Sequence, residues 1–151
     1  MEFHIPYYAL RRGYGSRDPR ILDGKPLRAS RPLPLARNAI ERADHYHEAQ
    51  ISVLVTGPDE WVWTSYCGVD TYFGSEPESK TYLSDNHPTE PATSGAVALK
   101  YPTWNPREFV LRVLSRRMAQ ATKEWGALID TFNDRMVTYV RNVQTLCQSR
   151  N

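Results

Sequence analysis

Trp104-Asn-Pro-Arg-Glu-Phe109 opens the longest regular stretch of the sequence and decides how the rest is read. Asn105 suits an N-cap, because its side-chain oxygen can accept the N–H groups that a first helical turn leaves orphaned. Pro106 falls at N1, where a missing N–H costs nothing. Glu108 stands at N3 and completes a capping box, and Trp104 with Phe109 forms a hydrophobic staple across the cap. No proline follows. Apolar residues recur at Val110, Leu114, Met118, Ala121, Trp125, Ile129, Phe132, Met136, Val140, Val143 and Cys147, in steps of four, four and three. That is an eleven-residue repeat, which keeps an apolar row almost straight along a helix. The spacing predicts a C-terminal helix over about 106–147. At ~1.5 Å per residue such a helix reaches ~63 Å, whereas a compact domain of this length has a radius of gyration of about 15 Å. Either the helix breaks, most readily near Gly126, or its far half meets a partner chain or helix.

Upstream, the pattern changes to period two. Residues 50–56 (Gln-Ile-Ser-Val-Leu-Val-Thr) are β-branched and alternating, and Gly57-Pro-Asp-Glu60 reads as a turn. Residues 61–67 alternate again, with Trp61, Trp63 and Ser65 on one face. Together they predict a β-hairpin, 50–56 with 61–67, ended by Gly68. The two tryptophans need a cover, and the long helix supplies it. Residues 2–9 set Phe3, Ile5 and Tyr7 against His4, Pro6 and Tyr8, which is a strand that Pro6 confines to an edge. Val69–Phe73 reads as a short strand or bend. Residues 11–37 are rich in Arg, Gly and Pro and read as an extended arm with turns at Asp18-Pro19 and Asp23-Gly24. A short helix at 36–44 fits next. Residues 74–103 read as a flexible acidic loop. The fold expected is α+β: one domain, with a strand-rich unit over 1–103 and a helix over 104–151 packed on its small antiparallel sheet.

Composition bounds the function classes. Of 151 residues, 40% are hydrophobic and 24% charged, which suits a folded core and excludes wholesale disorder. No apolar run approaches the ~20 residues of a membrane span, and Met1-Glu-Phe-His-Ile-Pro resembles neither a signal nor a transit peptide. The net charge of +2 is divided into blocks: +5 over residues 1–43, −7 over 44–100 and +4 over 101–151. Arginine supplies fifteen of the nineteen basic residues, and its fork suits phosphate and carboxylate. Arg11, Arg12, Arg112 and Arg116 are the candidate anion contacts. Arg11-Arg-Gly-Tyr-Gly15 matches one copy of an RGG-type fragment that can pair with RNA.

Other chemistry is sparse. His45 and His47 share a strand face and could supply two imidazole ligands to a metal, with Cys67, Asp70 or His87 completing the set. Cys67 could also pair with His45 or His47 as a thiol–imidazole couple. Against both stands the simpler reading of surface histidines before a strand and two reduced thiols, Cys67 and Cys147, in a cytoplasmic protein. The Gly-rich phosphate loops, the nucleophile elbow and the His-Glu-x-x-His motif are all absent.

Three segments taken in order carry a resemblance. They are Tyr7-Tyr-Ala-Leu-Arg11; then His47–Gly57 with Trp61-x-Trp-Thr-x-Tyr66 and Val69-Asp-Thr-Tyr-Phe73; then Trp104–Phe109 with Glu124-Trp125. This set resembles the N-terminal, non-membrane region of uncharacterised filamentous-fungal proteins labelled CorA-like magnesium transporter proteins. The resemblance implies a cytosolic regulatory or assembly domain, without enzymatic activity, for which Mg²⁺ is the cofactor to consider. The family's Gly-Met-Asn signature and membrane spans do not occur in this sequence, so channel activity is not carried over. The expected packing and interface residues are Trp61, Trp63, Tyr66, Trp104, Phe109, Trp125 and Phe132, with self-association or a partner helix along the C-terminal helix. The alternatives are an anion or nucleic-acid binder using the Arg-rich arm, and a metal-dependent enzyme using His45, His47 and Cys67.

Overall fold

A computed structural model describes residues 1–13, 15–35, 44–74, 91–93 and 103–148. The helix expected at 36–44 and most of the acidic 74–103 stretch lie outside them, apart from one 3-10 turn at Pro91–Thr93.

The centre of the sheet is β5 (His45–Thr56). Strand β1 (Glu2–Arg11) runs antiparallel along its whole length, from Glu2 opposite Leu54 to Arg11 opposite His45. β1 is an edge, so Pro6 is tolerated there as the pattern required. The other edge of β5 is shared. Strand β4 (Ser30–Pro32) pairs with His45–His47, and β6 (Thr64–Val69) pairs with Ile51–Thr56. Between them a two-stranded ribbon, β2 (Ile21–Leu22) and β3 (Lys25–Pro26), turns on Asp23-Gly24. Both turn residues have positive φ, 50° and 75°, the type I′ combination that Asp-Gly accommodates. Over the described residues 15–35, the arm expected at 11–37 is thus a strap pinned to the sheet.

Period two holds through β1 and β5. Ile5, Tyr7 and Ala9 are buried opposite Ile51, Ala49 and His47, while Glu2, His4 and Pro6 are exposed. The hairpin register differs from the expectation. Asp59 Oδ1 accepts the N–H groups of Trp61 and Val62, both at 2.8 Å, which winds residues 57–63 into a loop. A Cβ at Gly57 would stand 2.2 Å from the Val62 carbonyl oxygen, so only glycine permits this approach. The first pair of the ladder is therefore Thr56 with Thr64, three residues later than a four-residue turn would place it, while the inner face is the one expected: Ser65 lies opposite Val55, and Trp63 packs on Phe109. Trp61 leaves the strand and is 81% exposed, Tyr66 lies exposed beside Leu54, and Gly68 continues the strand rather than ending it.

The long helix, α1, spans Pro106–Gln148 without a break at Gly126. Asn105 Oδ1 accepts the N–H of Arg107 at 2.9 Å and of Glu108 at 3.2 Å, which is the N-cap expected. The staple is different. Trp104 is 76% exposed, and Trp63 takes its place, 5.1 Å from the Phe109 ring, with its Nε1–H donated to the Trp104 carbonyl. The Glu108 carboxylate holds Arg112 one turn on.

The face of α1 that meets the sheet is Phe109, Val113, Arg117 and Ala121, all at most 5% exposed. The apolar row read from sequence is displaced from it by one residue, about 100° around the helix. Only Ala121 of that row is buried; Val110 and Leu114 are half-buried, and Met118 is 48% exposed. Further along, the Arg11 fork holds Glu124 through two bonds, at 2.8 and 2.7 Å. Arg135 reaches the Leu33 and Pro34 carbonyls and the Asp44 carboxylate. Beyond Arg135 only Thr138 is less than exposed among the side chains described, so the last 13 residues, ~20 Å of helix, run clear of the sheet.

Candidate functional site

The polar chemistry gathers where β4 hands over to β6. Among the described residues strand β5 has no partner strand at Gln50 on that side. Asp70 fills the gap: its Oδ2 accepts the Gln50 N–H at 2.9 Å, and its own N–H bonds the Gln50 carbonyl at 3.1 Å. Two guanidinium groups of the strap close on the same carboxylate, Arg28 Nε at 2.8 Å and Arg20 Nη1 at 2.6 Å. Arg20 also holds the fully buried Asp18, whose Oδ1 accepts the Arg20 backbone N–H in an Asx turn. The Arg20 hydrogen bond keeps the Asp18 carboxyl below its ordinary range, although burial pushes the other way. Asp70, a candidate metal ligand by sequence, is therefore the anchor of an ionic cluster.

His47 lies beside this cluster and is 1% exposed. Its ring stacks on Phe73 at 5.5 Å and meets the edge of Tyr72. Ser30 Oγ gives its only proton to the Ser16 carbonyl, so His47 Nδ1 must donate at 2.8 Å. That fixes the Nδ1–H tautomer. His45 likewise donates Nδ1–H to the Gly13 carbonyl at 2.8 Å. Burial, with His45 and Arg11 close by, holds the His47 imidazole below its ordinary value of about 6.5. Native His47 therefore stays neutral where the unfolded chain takes up a proton. Its contribution to stability is complete above about pH 6.5 and is lost as the pH falls through that value toward the lower native one. Urea denaturation at steps between pH 7.5 and 5 should show this decline, and His47→Gln should flatten it. Parallel pH profiles for the two proteins would assign the decline to other groups.

The sequence-predicted site residues separate. His45 and His47 share a face with ring centroids 6.4 Å apart. Cys67 pairs with Val53, six residues along β5 from His47, a distance of ~20 Å. Cys67 therefore does not couple with His45 or His47, and among the described residues no three His, Cys, Asp or Glu side chains are grouped to hold a metal ion. His87 lies outside the described residues. Arg11 and Arg112 are paired with Glu124 and Glu108; Arg11 is half-buried and Arg112 is exposed. Arg11 also lies over the Phe73 ring at 5.1 Å. Arg12 and Arg116 are exposed on separate elements.

Two features come from the assembled chain. A cleft of about 580 Å³ opens between the legs of the strap, walled by Arg17, Lys25, Arg28 and Arg31 with Ser16 and Ser30, and no acidic residue lines it among the described residues. On the far side a groove of about 460 Å³ is lined by Tyr8, Leu33, Tyr46, Trp125, Ile129 and Phe132. Trp125 seals one wall by meeting Tyr8 edge-on at 5.3 Å. From this groove the apolar flank of α1 continues outward: Ile129 is 51% exposed, and Phe132, Met136, Val140 and Val143 are each about two-fifths exposed or more.

Among the described residues no helix is long and apolar enough to cross a membrane. No family model, curated protein or solved structure matches the chain.

Proposed function

We propose that this chain is a non-enzymatic cytoplasmic assembly domain, of the kind implied by its resemblance to the soluble part of CorA-like proteins, and that α1 is its assembly element. The supporting observation is the exposed flank of Ile129, Phe132, Met136, Val140 and Val143, continuous with the groove at Trp125 and carried on past the end of the sheet. An apolar surface of this extent exceeds the scattered exposed residues usual on a monomer. It follows the eleven-residue spacing, which keeps a straight seam facing a second helix over many turns. A second copy of the chain is the partner this reading favours, because it presents the same straight seam.

Sedimentation velocity from ~1 to ~100 µM should show a concentration-dependent oligomer. Phe132→Asp with Met136→Asp should leave a monomer at every concentration with the circular dichroism of the parent, because both side chains are about two-fifths exposed on the single chain. A parent that sediments as an elongated monomer throughout refutes self-association.

A further inference from the structure

We propose that the cleft of the strap binds a small polyphosphate-class anion. The first observation is the composition of its wall. Arg17, Lys25, Arg28 and Arg31 surround a volume of about 580 Å³ with no carboxylate among the described lining residues, and small-ligand pockets run from about 300 to 1,000 Å³. The second is how Asp18 and Asp70 are paired. Asp18 is bound by Arg20, and Asp70 by Arg20 and Arg28. Among the described residues Arg17, Lys25 and Arg31 pair with no carboxylate. The third is that the frame is held. Ser30 Oγ ties the two legs by donating to the Ser16 carbonyl, His45 fastens the Gly13 end, and Leu27 N–H bonds the Arg20 carbonyl across the ribbon. A pre-formed cleft does not lose ordering entropy when a ligand enters.

The ligand's charge follows from this count. A single carboxylate leaves most of the wall's charge unanswered, whereas linked phosphate groups can meet Arg forks and the Lys ammonium together. The Ser16 and Ser30 lining adds neutral polar surface of the kind that fixes orientation.

The probe is inorganic pyrophosphate, titrated calorimetrically into the full chain at constant ionic strength, with inorganic phosphate and sulfate as comparisons. Saturable one-site binding is expected, tighter for pyrophosphate than for either comparison anion and weaker as salt rises. Arg17→Ala with Lys25→Ala should lower the affinity about tenfold or more, the loss expected from charge-assisted contacts. Both residues are exposed, so the unliganded melting temperature should not change. Arg12→Ala with Arg116→Ala removes the same charge outside the cleft and should leave the affinity intact. Equal losses in the two double variants would show diffuse surface charge and overturn the proposal, as would absence of saturable binding. A short single-stranded oligonucleotide that binds far more tightly than pyrophosphate, and depends on Arg12 and Arg116, would replace the cleft with a nucleic-acid surface.

Discussion

Asp70→Ala is expected to destabilise the domain by about 3 kcal/mol, measured as a shift in the urea midpoint followed by circular dichroism. Asp70 is 5% exposed and joins β5 to the strap. Its removal leaves the Gln50 N–H without its acceptor at 2.9 Å, in the gap between β4 and β6. It also leaves Arg28 without its carboxylate and takes from Arg20 one of its two. Breaking a buried ion pair by deleting one partner typically costs about 3–5 kcal/mol, mostly for the charge left behind. The lower end applies here, because the Arg20 side chain is 46% exposed and water screens its share. Asp70→Asn should fall between, since an amide oxygen still accepts the Gln50 N–H but carries no charge. The loss matters against a total stability of about 5–15 kcal/mol for a domain. A cost below about 1 kcal/mol would show that the strap is held by its β4 pairing rather than by this cluster.

What was legible in the sequence was what depends on near neighbours. The N-cap at Asn105 is a contact over two and three residues, and the structure forms it. The alternation of Phe3, Ile5 and Tyr7, and of Ile51, Val53 and Val55, assigned the inner face of both strands, because period two is built into the backbone. The antiparallel sheet and the long helix follow from these signals. The hairpin register did not, since it turns on one carboxylate, Asp59, taking two N–H groups into a loop.

The helix face was missed for a related reason. The buried face contains Arg117, 1% exposed, which donates Nε–H to the Ala92 carbonyl and Nη1–H to Gln120. A charge in the middle of a core stripe interrupts the apolar count, and the neighbouring row, uninterrupted, looks like the better core. The same row then remains exposed along the far half, where it supports the assembly reading. A run of arginines reveals nothing about which acids they meet. Arg11 finds Glu124 at a separation of 113 residues, and no local pattern encodes that pair. The arm itself was read as basic, and the cleft lies within it.

Ile51→Ala is expected to cost about 3 kcal/mol, within the roughly 2–5 kcal/mol of large-to-small core substitutions. Ile51 is fully buried at the centre of β5, paired with Ile5 on one side and Val69 on the other. Its methyl groups fill the layer between sheet and helix, in one core with Phe109 and Val113. The strands on both sides are hydrogen-bonded to β5, so the backbone has little freedom to close the cavity. Leu54→Ala tests the other side of the same strand. Leu54 is 40% exposed and lies on the outer face beside Tyr66, so its truncation should cost less than about 1 kcal/mol. The contrast between two aliphatic residues three positions apart reads the face assignment directly. Equal costs at the two positions would mean that β5 is covered on both faces, as it would be if a second chain packed against Leu54, Tyr66 and the exposed Trp61. Repeating the pair in the Phe132→Asp, Met136→Asp background separates these cases, because the Ile51 cost belongs to the single chain and survives dissociation.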